Sequence, residues 1–341
     1  MRNTVRGPYR YVRADIVAML SADTLFTAAE AEPTRASFAR ALLDIGARNP
    51  LVVALDADVS KSIGTSKFAE KFPERSFNFG IAEQNMFAAA AGMATTGLIP
   101  FASTYAVFAS LRALDMVRNS ICYPRLNVKI AASHSGITPG PDGVTHQGQE
   151  DLSIMRAIAN STVIAPADAD TTAMAVAAAA AYDGPVYLSF TRDPVPKIFT
   201  PDYPFEIGKA VLVREGFDAA IFALRDLTAH ALVAADRLAG QGIEVRVIDC
   251  PTLKPLDVEA VLRAAAETGA IVTAENNVFF GGLGSAVAEV LVENDPVPMK
   301  RIGVRDTFAE SGPYQDLLDK YGLSARHIVQ AVTEVLGRKN R

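Results

Sequence analysis

From Thr34 onward the chain alternates short apolar runs with longer alanine-rich segments, the pattern of an α/β protein built on parallel sheets. The stretch "TRASFARALLDIGARNP" predicts a helix with Thr34 as N-cap and Pro50 as stop. The runs "LVVALDAD", "LIPFAST", "NVKIAAS", "STVIAPA" and "PVYLSFT" predict buried strands, with helices over 106–120 and 169–182 between them. Between Asp193 and Gly208, Pro194, Pro196, Pro201 and Pro204 remove amide donors and interrupt any regular element. Beyond them "DAAIFAL", "IEVRVIDC" and "GAIVTAEN" predict strands, with helices over 227–241 and 257–268. The glycine-rich "FFGGLGSAV" predicts a tight turn into a helix, and "GLSARHIVQAVTEVLG" an amphipathic helix that closes the chain. The pattern divides the chain into an N-terminal arm (1–33), an α/β domain (34–195), a proline-rich linker (196–207) and a second α/β domain (208–341).

A length of 341 residues accords with two cores. The net charge of −5 supplies no basic patch for nucleic acid or an anionic membrane. Cys122 and Cys250 are far apart and lack metal spacing, so they read as core thiols in a reducing cytosol. The first 33 residues mix Arg2, Arg6, Arg10 and Arg13 with acids around a short apolar run, a poor signal peptide, and no stretch has the aliphatic density of a membrane span. These features predict a soluble cytoplasmic protein with an extra or loosely attached arm.

Candidate chemistry begins with "FNFGIAEQNMFAAAAGMATTG", residues 77–97, whose one charge is Glu83. Between Arg75 and Arg112 it is the only Asp, Glu, Lys or Arg, and burying an unpaired carboxylate costs several kcal/mol. Such a group finds a partner or takes up a proton; a plain first-turn carboxylate, favoured by the helix dipole by ~0.3–1 kcal/mol, is the other reading. The loop "SHSGITPGPDGVTHQGQED" places His134 and His146 after a buried strand, where ligands collect in open α/β sheets. Their spacing matches no zinc pattern, and no metal site is expected. Arg192 in "SFTRDP" sits just past a strand end, where a guanidinium can clamp an anion or join a surface ion pair. Tyr105 and Phe108, three apart, suit either core packing or ring stacking, and "FFGGLGSAV" lacks the full dinucleotide fingerprint.

Taken together, "FNFGIAEQNMFAAAAGMA", "FASTYAVFASLRALDMVRN", "HSGITPGPDGVTHQGQEDLSIMRAI" and "YLSFTRDP" resemble the pyrimidine-binding half of a transketolase over residues 34–195. Residues 208–341 resemble the family's C-terminal domain. No G-D-G followed by a downstream Asn motif, the family's pattern for diphosphate and magnesium, occurs in the chain. The resemblance therefore implies the second subunit of a split transketolase, two doubly wound domains, and thiamine diphosphate with Mg2+ held mainly by a separate subunit, two copies of each. It implies transfer of a two-carbon ketol unit from a ketose phosphate to an aldose.

Residue by residue, the resemblance gives Glu83 a shared proton with the cofactor's pyrimidine nitrogen, and Tyr105 and Phe108 packing around that ring. The family's third aromatic is Leu111 here. Asp58 would lie near the cofactor, His146 near the aminopyrimidine and the reacting carbonyl, and Asp142 would accept from a substrate hydroxyl. Arg35, Ser62, His134 and Arg192 would surround a substrate phosphate. Related architectures also serve 2-oxo acid dehydrogenase beta subunits and deoxyxylulose-phosphate synthases; the "DGVTHQG" loop with its phosphate clamp sets the first aside, and the second is normally one long chain. A scaffolding relative would need none of Glu83, His134, Asp142 and His146.

Overall fold

The computed structural model describes residues 9–22 and 30–339. The strands in chain order are β1 (Ala31–Glu32), β2 (Val52–Asp56), β3 (Ser76–Asn78), β4 (Ile99–Tyr105), β5 (Lys129–Ser133), β6 (Thr162–Ile164), β7 (Val186–Ser189) and β8 (Val195–Pro196). They continue with β9 (Val211–Arg214), β10 (Ala219–Ala223), β11 (Val245–Asp249), β12 (Thr252–Lys254), β13 (Ile271–Val278) and β14 (Met299–Val304). A seven-stranded sheet runs β12-β6-β7-β5-β4-β2-β3 and a five-stranded sheet β14-β13-β10-β11-β9; within each, every pairing is parallel except that of β12 or β9. Two α/β units with mainly parallel sheets are what the alternating pattern predicts.

Helices cover both sheet faces, and the strands they bury read as continuous Val, Ile, Leu and Ala runs because neither face meets water. One apolar cluster lines the outer face of the first sheet, with Phe38 stacked on Phe190 at 4.9 Å. A second is continuous between the units, joining Phe87, Ala109 and Leu152 to Phe222, Leu253 and Leu283. The edge strand β12 lies beyond the proline-rich stretch in sequence yet pairs with β6 of the first sheet, so the two units are stitched by backbone as well as by core.

Several local expectations need correction. Thr34 is not an N-cap: Pro33 holds that position, and the Thr34 hydroxyl and amide face Thr191 in a buried exchange of hydrogen bonds. The stretch 106–120 is not a uniform α-helix; Phe108–Arg112 and Met116–Cys122 are wide π-turn segments separated at Ala113. The arm, where described, is firmly packed: Ala14–Ala22 is a helix whose Ile16, Val17 and Leu20 are buried against helix Leu227–Ala239. The proline-rich stretch is anchored by Asp168, which caps helix Ala169–Ala181 through the Thr171 amide and accepts from the Ile198 and Phe199 amides. Among the described residues no helix is long and apolar enough to cross a membrane.

Candidate active site

The parallel strands β2, β3, β4, β5 and β7 direct their carboxyl ends to one edge, and the residues singled out from the sequence follow those ends. Asp58 and Ser62 follow β2, Glu83 follows β3, Tyr105 ends β4, His134 follows β5 and Arg192 follows β7. This is the crevice in which open α/β sheets bind ligands.

Most of these residues touch. The Tyr105 ring stacks on His134 with centroids 3.8 Å apart and also faces Phe108 at 5.7 Å; His146 lies 5.9 Å from Tyr105 and 5.8 Å from Phe108. The Tyr105 hydroxyl donates to Ser62 Oγ at 2.9 Å, and Arg35 donates to the same oxygen at 3.1 Å and to the Ser62 carbonyl. Arg192 Nε is 3.2 Å from Asp142 Oδ2, and Arg192 Nη1 donates to Asp193 at 2.7 Å. Asp142 Oδ2 in turn is 3.7 Å from His134 Nε2. Arg35, Ser62, Tyr105, Phe108, His134, Asp142, His146 and Arg192 thus form one connected cluster. Asp58 stands beside it with its hydrogen bonds to Asn78, and Leu111 is half-exposed.

His134 is buried with a left-handed backbone, φ 65°, a conformation to which His is better suited than bulkier residues. Burial, reinforced by the charges of Arg35 and Arg192, pushes its pKa down to about 3, so it is a neutral ring at ordinary pH. It therefore serves as a hydrogen-bonding group and not as a cation: its Nδ1 is engaged with Ser133 Oγ at 2.8 Å, leaving Nε2 toward Asp142. Burial likewise lowers the pKa of Arg35, with the Arg192 charge adding to it, while the bond to Asp193 raises that of Arg192.

Glu83 is only 1% exposed and opens the helix Glu83–Ala94. Of the two fates open to a buried carboxylate it has the first: Arg112 Nη1 lies 3.1 and 3.0 Å from its two oxygens. Arg112, which sequence reasoning used only to bracket an uncharged stretch, also covers Phe108, its guanidinium carbon 4.1 Å from the ring centroid. The available signal was spacing, since Arg112 lies four residues after Phe108 and is the first charge after Glu83.

The second unit also braces the site, which no motif indicated. Asn276 Oδ1 accepts from the Ile137 amide at 3.0 Å, the Val278 amide donates to the Gln149 carbonyl at 2.7 Å, and Gln147 Nε2 donates to the Glu310 carbonyl at 3.1 Å. Gly136 fits because it has no side chain: with φ +59° a Cβ would stand 2.4 Å from the Asn276 carbonyl oxygen. Asn276 and Asn277, beside Glu275 near the end of a buried strand, were the hint in the sequence.

Two mainly parallel α/β units with an aromatic, carboxylate and guanidinium cluster at the carboxyl strand ends of the first define an α/β protein with a candidate ligand site at a sheet edge. Residues 31–197 match the model for the transketolase pyrimidine-binding domain, and residues 208–328 match that for the transketolase C-terminal domain. The chain belongs to the transketolase family. It is 46% identical over 306 residues to the 6-deoxy-6-sulfo-D-fructose transketolase subunit SqwH of Clostridium sp. (strain MSTE9), covering 90% of this chain and 95% of that one. It is 42% identical over 308 residues to a putative transketolase C-terminal section of Methanocaldococcus jannaschii, with 89% and 96% covered. Among solved structures, a split gene transketolase described as an inactive beta4 tetramer superposes with a TM-score of 0.83 at 51% identity, covering 90% of this chain and 99% of that chain.

Proposed function

We propose that the chain is the pyrimidine-binding subunit of a thiamine diphosphate-dependent transketolase, a cytoplasmic enzyme that moves a two-carbon ketol unit from a ketose phosphate to an aldose. The observation that carries this reading is the joining of two sets of groups in one crevice. Glu83 with Phe108 and Tyr105 offers a buried hydrogen-bond acceptor, joined through Arg112 to aromatic ring faces, a set of groups that fits an aminopyrimidine. Arg35, Ser62, His134 and Arg192 offer guanidinium, hydroxyl and imidazole groups suited to a phosphate. When bound, the cofactor supplies the nucleophilic carbon and holds the carbanion.

Glu83 then holds a proton at the pyrimidine nitrogen, and Phe108 and Tyr105 keep water from the ring faces. Neutral His134 donates a hydrogen bond without adding charge. His146, whose Nδ1 is 2.9 Å from Thr145 Oγ1, lies at the mouth beside both rings and is placed to orient the reacting carbonyl. Asp142 accepts from a sugar hydroxyl, and it and Asp193 share Arg192 with the incoming phosphate. Asp58 would lie at the cofactor's flank. The diphosphate and its Mg2+ belong in this reading to a separate subunit, with two copies of each chain in the assembly; support comes from relatives of nearly equal length that are named a subunit and a C-terminal section.

Calorimetric titration with thiamine diphosphate and magnesium, before and after adding the diphosphate-binding chain from the same genome, tests the reading. Tight binding and ketol transfer should arise together and plateau near one partner per chain. Micromolar binding and turnover by this chain alone would show that it is no half-enzyme.

A further inference from the structure

Arg112 engages both features that the proposed cofactor reading assigns to the pyrimidine: the carboxylate of Glu83 and a face of Phe108. The pairing is lopsided. The Glu83 side chain is 2% exposed and that of Arg112 40%, so the guanidinium reaches in from solvent over a buried acid. Among the described residues the other side chain within reach of that acid is Thr104, whose hydroxyl stands at 3.5 Å.

Arg112 ends the wide-turn segment Phe108–Arg112, immediately before the helical path breaks at Ala113. π-Turns of this kind are rare and recur at functional sites. A guanidinium is planar, donates hydrogen bonds and stacks on aromatic faces. Those are also the recognition properties of a ring that stacks on Phe108 and presents a protonated nitrogen to Glu83.

We propose that Arg112 is a further residue of this site, a resident occupant of the pyrimidine position. It keeps Glu83 paired until the ring arrives, then withdraws to solvent as the ring takes its place. The inference rests on the cofactor reading. In that reading the ring nitrogen replaces the guanidinium nitrogen at Glu83, the proton the two then share being taken up from solvent, and the buried acid keeps a hydrogen-bond partner in both states.

The test uses the chain mixed with its diphosphate-binding partner, and the partner-free chain in parallel. Arg112→Ala removes a competitor for Glu83 and should tighten thiamine diphosphate binding by roughly two- to fivefold, a surface-accessible ion pair contributing about that much. It should also lower the Tm of the partner-free chain, and this loss should vanish when the substitution is made on Glu83→Gln. Arg112→Lys, which keeps the charge but not the plane, should fall between wild type and alanine on both readouts, and it serves if the alanine variant does not fold. Unchanged or weaker cofactor binding in the Arg112 variants would overturn the proposal, because a residue that stays to position Glu83 predicts that sign. No binding by the wild-type mixture would instead overturn the cofactor reading, and this inference with it.

Discussion

The two sheets end alike and are used differently. At the carboxyl ends of the first, Arg35, Asp142, His146 and Arg192 are partly exposed and lean on one another around stacked rings. At the carboxyl ends of the second, Arg225, Asp226, Asp249, Glu275, Asn276 and Tyr314 are buried, and each is engaged by the protein itself. Arg225 pairs with Asp226 at 3.0 Å, donates to Ser189 Oγ of the first sheet at 2.7 Å and reaches the Asn276 carbonyl. The crevice rule for open α/β sheets therefore locates a ligand site in the first unit, whereas in the second the corresponding edge is closed by docking against its neighbour. Architecture supplies the edge; what covers it decides whether it is a site or a joint.

The largest expected effect falls on the joint. Arg225→Ala would leave Asp226 and the Asn276 carbonyl without their buried cation, and breaking such a pair costs about 3–5 kcal/mol. Scanning calorimetry should show a Tm lower by on the order of 10 °C, with Arg225→Lys recovering part. A fall of a degree or two would mean that the joint is held by its apolar core alone.

The open edge should respond in activity and hardly in stability. Arg192 is a third exposed and its ion pairs are partly solvated, so Arg192→Ala should change stability by no more than about 1 kcal/mol. On the proposed function it should nevertheless lower the specificity constant for a sugar phosphate, relative to the free sugar, by about ten- to a hundredfold, the range for hydrogen bonds to a charged group. Equal losses for both substrates would take Arg192 out of the phosphate clamp.

The difference between the two edges was only half legible in the sequence. The alternation of apolar runs foretold both sheets and nearly every central strand, because strands buried on both faces have no choice but aliphatic side chains. His134 and Arg192 stood out for a related reason, since polar or glycine-rich breaks after such runs mark the carboxyl edge, whereas Glu83 stood out as the one charge in an otherwise uncharged stretch. Arg112 did not, because its spacing from Phe108 is an ordinary helical one and nothing local announces its contact with Glu83, 29 residues earlier. Nor did β12, three residues that leave the second unit to pair with β6, or Arg225, whose burial exists only once the units dock. Long-range contacts of this kind have no local pattern to read.

The smallest expected effect concerns protons, and here the two edges differ in sign. At the open edge, His134 is pushed down to about 3, so between that value and the ordinary imidazole range the unfolded chain binds the proton and the folded chain does not; stability from this group rises with pH. At the joint, burial raises Asp249 to about 7 although the Tyr203 and Thr228 hydroxyls, both at 2.6 Å, favour its charge. Between the ordinary carboxylate range and about 7 the folded chain holds a proton that the unfolded chain has lost, so stability from Asp249 falls as pH rises and is level above that. Asp249→Asn cannot titrate and removes this slope while leaving that of His134. The variant will be less stable at every pH, because its amide turns a donor toward one of the two hydroxyls. The informative quantity is the Tm gap between wild type and variant, which should narrow by a few °C from pH 5 to pH 8, at roughly 2–4 °C per kcal/mol. A gap that stays constant would mean that the two hydroxyl donors outweigh burial and that Asp249 is already ionised at pH 5, a buried charge held by neutral hydroxyls where the open edge uses guanidinium groups.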